Sequence, residues 1–291
     1  MAAQHANKQV MVASVSKPLT AILTLRLLAD TGVGVDTPIA QWLPSNWTLG
    51  DGQDAITFAQ LMTHTSGLKQ LNPTGVDYAS LRSLVATDLL NGDGPYPYSY
   101  SNVNFALLRV LAAGLMGIDP VDYTEFESGP LTAAAFELYA QSVYGGIGVP
   151  ASCSPTDPQP TLMYQWPLDG VSNGSESSDK VLVCGGYGFF ISARQLAQVL
   201  VNLRYTDNLI SDEQFDLMRD ELFGFSPTNS GVGAYGPYYG HGGKWNPGMQ
   251  SCVTIFPIEV EVAVTVNSIG GDYAAPCTEA RIAFNNAWVA A

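Results

Sequence analysis

Apolar residues recur at helical spacing after residue 17, and this pattern predicts a long buried helix near the start of the chain. The positions on its apolar face are Leu19, Ile22, Leu23 and Leu27. Pro18 falls in the first turn, where a missing backbone donor costs least. Gly32 follows the last helical positions and is typical of a helix C-terminus.

The same patterning predicts the remaining elements and their grouping. Helices are expected over residues 57–62, 102–111, 192–204 and 275–289. The β-branched runs 251–256 and 260–266 are bounded by turn signals and predict strands. We therefore expect one unit, residues 1–291, with a mainly helical lobe over about 11–144, a Pro-, Ser-, Gly- and Asp-rich loop over about 145–180, and a sheet-containing lobe over about 181–291.

Composition narrows the classes of function. The 291 residues are 46% hydrophobic, which excludes a disordered chain, and no apolar run reaches the length of a membrane span. The net charge of −14, with 12 lysines and arginines in total, leaves no basic stripe to neutralise phosphates. We therefore expect no nucleic-acid partner and no membrane span, and a small molecule as the substrate.

Ser14-Val15-Ser16-Lys17 stands at the head of the first predicted helix and is a candidate nucleophile with its own base. Residues three apart lie on the same side of a helix, so Lys17 can reach the Oγ of Ser14. A lysine accepts the serine proton only if burial or nearby charge lowers its pKa, and the apolar run supplies such burial. The structural alternative is an N-cap serine beside a solvated lysine.

The same spacing occurs twice more and is therefore weak by itself. Ser66 precedes Lys69 in a segment that contains a glycine and is typical of a helix C-terminus. Ser177 precedes Lys180 inside a polar loop with no apolar face to bury. Only the first pair opens a long amphipathic helix, and we expect the other two to be structural.

Two later motifs change the interpretation, because they follow in a characteristic order. The ordered pairs are Ser14 with Lys17, Tyr100 with Asn102, and His241 with Gly243. With the segments 61–68 and 185–197, they resemble the serine hydrolases of the β-lactamase and penicillin-binding-protein superfamily, nearest the branch of class C β-lactamases, esterases and D-amino-acid peptidases. The match runs from about Met11 to the C-terminus. The resemblance implies an α+β fold, with an antiparallel sheet flanked by helices plus an all-helical lobe.

Chemical roles can be assigned to the second motif. Tyr100 can carry a proton as phenol or phenolate if Lys17 and another cation lower its pKa. Asn102 offers an amide that can hold Lys17 and a substrate carbonyl together. We therefore expect Ser14, Lys17 and Tyr100 to be catalytic and Asn102 to bind substrate.

The third motif, His241-Gly242-Gly243-Lys244, is expected to bind substrate along a strand edge. Its two glycines leave the backbone bare for close approach of an extended acyl group. The resemblance implies an oxyanion hole made by the backbone N–H groups of Ser14 and Lys244. His241 stands where β-lactamases usually have lysine. Histidine is usual at this position in the esterase and peptidase relatives, so the resemblance weakens the case for β-lactam hydrolysis.

Two other residues, His64 and Ser172, are alternative candidates for a catalytic role. His64 could be the base of a Ser–His pair, but the resemblance implies a buried structural histidine. Ser172 lies in Gly170-Val171-Ser172-Asn173-Gly174, which matches a nucleophile elbow. Its flanks lack the required strand and helix, so a loop residue is expected.

The four cysteines show no metal-binding spacing, and no metal or organic cofactor is expected. The sequence allows two alternatives for these cysteines. They form two disulfides, Cys153 with Cys184 and Cys252 with Cys277, or they are four isolated buried thiols.

The start of the chain differs from the family pattern, because relatives have two strands before the nucleophile helix. Residues 1–10 contain neither these strands nor a signal peptide, although an extracytoplasmic location is favoured. The strand at 260–266 would then present a bare edge. We expect either a fragment or a sheet completed by another chain or by self-association.

The expected reaction proceeds through an acyl-enzyme on Ser14 with a small ester or amide. Carboxylesterase or acyl-transfer activity ranks first, D-amino-acid peptidase or D-Ala-D-Ala carboxypeptidase second, and β-lactamase third. A catalytically incomplete fragment or binding-only protein is the alternative from a different class.

Overall fold

The computed structural model describes residues 5–90, 94–157, 161–165, 174–246, 248–269 and 275–287. Its helices are α1 (Ser16–Thr31), α2 (Phe58–Met62), α3 (Tyr78–Val85), α4 (Asn102–Leu115), α5 (Glu125–Gly145), α6 (Ala193–Tyr205), α7 (Asp212–Asp220) and α8 (Pro276–Ala287). Its strands are β1 (Val10–Met11), β2 (Tyr164–Gln165), β3 (Phe190–Ile191), β4 (Gly231–Gly233), β5 (Gly236–Trp245), β6 (Met249–Phe256), β7 (Val260–Val266) and β8 (Ser268–Ile269). The mixture of helices and antiparallel sheet confirms the α+β expectation.

The main sheet is antiparallel with the strand order β4-β5-β6-β7. Its register pairs His241 with Val253 and Gly243 with Ser251. Two small sheets accompany it: β1 pairs with β3 in antiparallel fashion, and β2 pairs with β8 in parallel. The β1–β3 pair matters for the site because it holds the chain just before Ser14.

The helical core is built on α1 and α4, which pack against each other. Almost every α4 residue is buried, as its continuous apolar sequence predicts, and α5 covers another side of it. Gly32 ends α1 in a left-handed conformation with φ 69°, as the sequence indicates. Helix α6 packs on β7 and joins the helical layer to the sheet.

Several sequence predictions hold and others do not. Strand β7 covers the predicted residues, and α4 begins at the predicted Asn102. Helices α3, α5 and α7 were not predicted. Gly67 does not end a helix, because α2 finishes at Met62 and Gly67, with φ 81°, instead precedes a short 3-10 turn. The helical interpretation of that segment was wrong.

Both candidate disulfides are present, so the alternative of four free thiols is wrong. Cys252 in β6 joins Cys277 in α8, and Cys153 joins Cys184. The second bridge ties the loop after α5 to the segment just before β3.

Strand β7 pairs with β6 on one side and, within the described ranges, with no strand on the other. This agrees with the expected sheet edge, while its completion by another chain stays a prediction. Among the described helices, none combines the length and apolar character needed to cross a membrane.

Candidate active site

Ser14 lies in a short 3-10 turn, Ala13–Val15, between β1 and α1. Ala13 takes a left-handed conformation with φ 48°, which is unfavourable for a residue with a Cβ. The turn is held from behind, because the Val12 N–H donates to the Phe189 carbonyl at 2.9 Å. Val15 is the N-cap of α1 and makes no side-chain capping bond, so the N-cap interpretation of Ser14 is wrong.

Lys17 is fully buried, with its amine directed at the Ser14 hydroxyl. Its Nζ lies 3.2 Å from Ser14 Oγ, 2.7 Å from Asn102 Oδ1 and 2.7 Å from the Gly186 carbonyl oxygen. Burial holds the pKa of Lys17 well below its usual value. The solvated-lysine alternative is therefore wrong, and burial favours the neutral form of the amine.

The three contacts fit a neutral amine, which has two N–H donors and one lone pair. The carbonyl oxygens of Asn102 and Gly186 only accept hydrogen bonds, so they take the two N–H groups. In the structure Nζ also donates to Ser14 Oγ; in the neutral amine this third direction holds the lone pair, which can accept the Ser14 proton. This arrangement suits transfer of a proton from Ser14 to Lys17.

Tyr100 completes the hydrogen-bonded chain from the other side, because its phenol donates to Ser14 Oγ at 2.7 Å. Burial raises the pKa of Tyr100 to about 12, although the residue is 37% exposed. The lowering of this pKa by Lys17, the condition attached to a phenolate role, is therefore not met. The Lys17 amine lies 4.5 Å from the centroid of the Tyr100 ring, and thus over its face instead of beside its hydroxyl.

Asn102 begins α4 and is oriented by Lys17, as expected. Because its Oδ1 accepts from the lysine, its Nδ2 donors face away from the amine and are available for a carbonyl. The Gly186 carbonyl was missed by sequence reasoning. Its signal was the Gly185-Gly186 pair, since a Cβ at Gly186 would lie 2.8 Å from the Asn102 carbonyl oxygen.

Strand β5 brings the third motif against the Ser14 turn. A Cβ at Gly243 would lie 2.5 Å from the Val12 carbonyl oxygen and 3.2 Å from the Ser14 nitrogen, and would overlap Ser251 Oγ. Only glycine allows this approach. The Ser251 hydroxyl donates to the same Val12 carbonyl at 2.7 Å and fixes the contact.

The backbone of β5 also has a defined orientation. The Gly240 N–H donates to Ser230 Oγ, and the Gly240 carbonyl accepts from the Ser226 N–H, so both groups point away from β6. Alternate residues of an antiparallel strand share that direction. The Lys244 N–H therefore points to the same edge, at the end that meets the Ser14 turn.

His241 is buried at this edge and is neutral at pH 7. Its Nδ1–H donates to the Gly242 carbonyl at 2.6 Å, which leaves Nε2 as an acceptor. Burial, followed by the charge that Lys17 carries when it is protonated, lowers the pKa of His241 to about 3. The side chain thus offers a substrate a hydrogen-bond acceptor and no positive charge.

Two cavities flank Tyr100. The first, of about 460 Å³, is lined by Ser14, Tyr100 and residues 241–244, with further residues from the α8 end of the sheet. The second, of about 520 Å³, is lined by Tyr100, Asn102 and residues 73–77 among others. Tyr100 therefore lines both cavities, and Ser14 lines the first.

His64 has the contacts of a structural residue, as expected. Its Nδ1 accepts from the Ser101 N–H at 3.3 Å and lies 2.9 Å from Asn104 Nδ2. Its ring lies 4.7 Å from that of Tyr100, and burial lowers its pKa to about 2. The His64 ring therefore packs against the ring of Tyr100 and helps to position its phenol. Ser172 lies outside the described residues.

Within the described part of the chain, no group of three His, Cys, Asp or Glu side chains lies close enough to hold a metal ion.

The fold and these motifs define a serine hydrolase. A family model described as Beta-lactamase matches residues 3–281, and the chain belongs to that family.

The chain is similar to esterase EstB of Burkholderia gladioli, with 44% identity over 59 residues. That alignment covers 20% of this chain and only 15% of the esterase. Among solved structures, it is similar to an octameric penicillin-binding protein homologue from Pyrococcus abyssi, with TM-score 0.72, 16% identity, and coverage of 99% of this chain and 67% of that one. A beta-lactamase/D-alanine carboxypeptidase from Yersinia pestis gives TM-score 0.70 and 16% identity, covering 99% and 85% of the two chains.

Proposed function

We propose that this hydrolase acylates Ser14 with small esters or amides and releases the acyl group to water or another acceptor. The carrying observation is the directed hydrogen-bond chain from the Tyr100 phenol to Ser14 Oγ, which faces the buried Lys17 amine. A serine hydroxyl needs such a base because its own pKa is far above neutral.

In the acylation step, Ser14 Oγ forms a bond to the substrate carbonyl carbon while its proton passes to Lys17. Tyr100 gives its phenolic proton to the leaving oxygen or nitrogen as the carbonyl–leaving-group bond breaks. The ammonium of Lys17 then gives its proton to the phenolate, which restores a neutral amine and a neutral phenol beside the acylated Ser14. In the deacylation step, the oxygen of water forms a bond to the acyl carbon while one of its protons passes to Lys17. The bond from the acyl carbon to Ser14 Oγ then breaks, Oγ takes up that proton, and the carboxylic acid leaves. Proton transfers of this kind contribute about 10²- to 10⁴-fold to rate.

The developing oxyanion is proposed to lie between the backbone N–H groups of Ser14 and Lys244. The close contact at Gly243 and the orientation of β5 support this assignment. Each such donor is worth about 3 kcal/mol in the transition state. Asn102 is proposed to hold the substrate carbonyl or amide on the other side of the reactive bond.

Carboxylesterase or acyl-transfer activity is ranked first because His241 is neutral. A lysine at this position would attract a substrate carboxylate, whereas the free Nε2 acceptor favours a substrate that carries an N–H or O–H donor or no charge there. The local similarity to an esterase points the same way. D-amino-acid peptidase activity is second, since amides also carry such donors, and β-lactamase activity is third.

The test compares 4-nitrophenyl butyrate, a D-alanyl-D-alanine peptide and the β-lactam nitrocefin on wild type and Ser14→Ala. We expect the ester to give the highest kcat/KM and the serine variant to lose at least about 10³-fold. Faster turnover of nitrocefin would overturn the ranking. Full activity of Ser14→Ala would overturn the nucleophile, and no turnover by a folded wild type would favour the binding-only alternative.

A further inference from the structure

Two of the three Ser-x-x-Lys lysines, Lys69 and Lys180, have no part in the proposed reaction but lie at or beside the second cavity. Lys69 lines the second cavity. Lys180 lies with its Nζ 5.7 Å from the centroid of Trp245, which also lines that cavity. The chain contains few cations and has a net charge of −14. One lysine that lines this cavity and a second that contacts its Trp245 wall are therefore a notable concentration of positive charge.

Neither lysine is neutralised by a carboxylate in the part of the chain that is described. The ion pairs found there involve other cations, namely Lys8, Arg26, Arg82, Arg204 and Arg219. Among the described residues, Lys180 Nζ donates to a neutral hydroxyl, Ser178 Oγ, at 2.8 Å.

One carboxylate, Asp77, lines the same cavity, but its oxygens are committed to the start of α3. They accept from the Ser80 N–H and from the Ser80 hydroxyl, both at 2.9 Å. These hydrogen bonds, above all the one from the Ser80 backbone, lower the pKa of Asp77. The carboxylate therefore caps a helix and leaves Lys69 and Lys180 available to a ligand.

The wall of the cavity beside Lys180 is aromatic. The rings of Tyr187 and Trp245 lie 5.1 Å apart with an interplanar angle of 37°. Both aromatic residues are next in the chain to residues of the reaction site. Tyr187 follows Gly186, whose carbonyl accepts from Lys17, and Trp245 follows Lys244. A flat substrate group that contacts this wall is thus held at a fixed distance from the reactive bond.

We propose that this cavity is a specificity subsite for an aromatic group that carries a carboxylate, with Tyr187 and Trp245 contacting the ring and Lys69 and Lys180 attracting the anion. The inference rests on the proposed function and names its substrate class: esters or amides in which one side of the reactive bond bears a carboxyaryl group. The neutral His241 lies in the other cavity and takes the uncharged side.

The kinetic test compares 4-nitrophenyl benzoate with its 4-carboxy derivative, each normalised to its uncatalysed hydrolysis. We expect wild type to prefer the carboxylated ester. This preference should be lost as salt rises from about 50 to about 500 mM, because salt screens the attraction between exposed charges. The double variant Lys69→Gln/Lys180→Gln should lower the preference about five- to tenfold. Lys69→Arg/Lys180→Arg should retain it, and Lys8→Gln is the matched loss of charge outside the cleft.

The aromatic wall is tested with 4-nitrophenyl hexanoate as the non-aromatic comparison. Tyr187→Leu should lower the ratio of benzoate to hexanoate turnover about two- to tenfold. An unchanged ratio would overturn the aromatic part of the proposal.

Binding to Ser14→Ala separates this inference from the proposed function, because that variant cannot be acylated. Calorimetry should give tighter binding of monomethyl terephthalate than of methyl benzoate, with the difference lost in the variant that also carries Lys69→Gln/Lys180→Gln. Equal binding of the two esters would overturn the subsite even if the enzyme hydrolyses esters. The expected binding difference without any turnover would support the subsite and overturn the proposed reaction.

Discussion

Replacing Gly243 by alanine is expected to disable the site through a single methyl group. The added Cβ would lie 2.5 Å from the Val12 carbonyl oxygen, whereas real Cβ contacts essentially never fall below 3.0 Å. Strand β5 and the Ser14 turn must therefore separate by at least 0.5 Å, the difference between those two distances. Most ordinary contacts exceed 3.4 Å, so full relief takes nearly 0.9 Å.

A displacement approaching 1 Å at a reacting group costs about 10²-fold in rate. The same shift weakens the Ser251 hydroxyl bond to Val12, which adds about 1 kcal/mol to a packing cost of about 1–3 kcal/mol in the free energy of unfolding. We therefore expect Gly243→Ala to fold, with a lowered midpoint of denaturation and a kcat/KM for 4-nitrophenyl butyrate reduced at least about 10²-fold.

The neighbouring glycine provides the matched control. A Cβ at Gly242 would come no closer than 3.5 Å to Asn229 Nδ2, an ordinary contact. Gly242→Ala should lose less than about tenfold in kcat/KM. Equal losses in the two variants would refute the geometric reasoning. Rescue of Gly243→Ala by Ser251→Ala would also refute it, because the overlap with the Val12 backbone would remain.

Further predictions concern protons and bridges. Because burial lowers the pKa of Lys17, kcat/KM should already be high well below pH 10.5, and Lys17→Arg should abolish this profile. Tyr100→Phe should lower kcat about 10²- to 10⁴-fold with little change in the denaturation midpoint, and an unchanged kcat would exclude the phenol as proton carrier. His64 and His241 have folded-state pKa values of about 2 and 3, below an unfolded value of about 6.5, so the unfolded chain binds more protons between these limits. The free energy of unfolding should consequently decrease as the pH is lowered, by about 2 kcal/mol per histidine from pH 7 to pH 5 in urea titrations. Equal stability at both pH values would contradict the buried neutral rings. Reduction of the disulfides, whose cysteines are 31 and 25 residues apart, should lower the free energy of unfolding by about 3–4 kcal/mol each, and an unchanged midpoint would contradict their structural role.

Helix α1, helix α4 and strands β6 and β7 could be predicted because the local hydrophobic pattern agrees with the burial of these elements in the fold. Helix α5 escaped because Pro130 lies inside it and its apolar face is poorly defined. For strand β5, a strand edge was expected at residues 241–244, but its full extent was not predicted, since its glycines lower strand propensity while serving close approach to the Ser14 turn.

The candidate site divides in the same way. The side chains of Ser14, Lys17 and Asn102 follow from motif spacing, and the structure brings them within hydrogen-bond distance. The raised pKa of Tyr100 depends on burial by segments distant in the chain, so spacing could not indicate it. The Gly186 carbonyl is a backbone group, so the glycine pair at 185–186 could indicate a close approach there but not which group accepts from Lys17.

The central claim is that Ser14 is an activated nucleophile. Intact-mass analysis and peptide mapping after treatment with a fluorophosphonate probe test it most directly, with Ser14→Ala and Lys17→Met as variants and circular dichroism as the check of folding. The account predicts one adduct per chain, located on Ser14, absent in Ser14→Ala and formed at least about 10²-fold more slowly in Lys17→Met. No adduct on the folded wild-type chain, or an adduct at another serine, would contradict it.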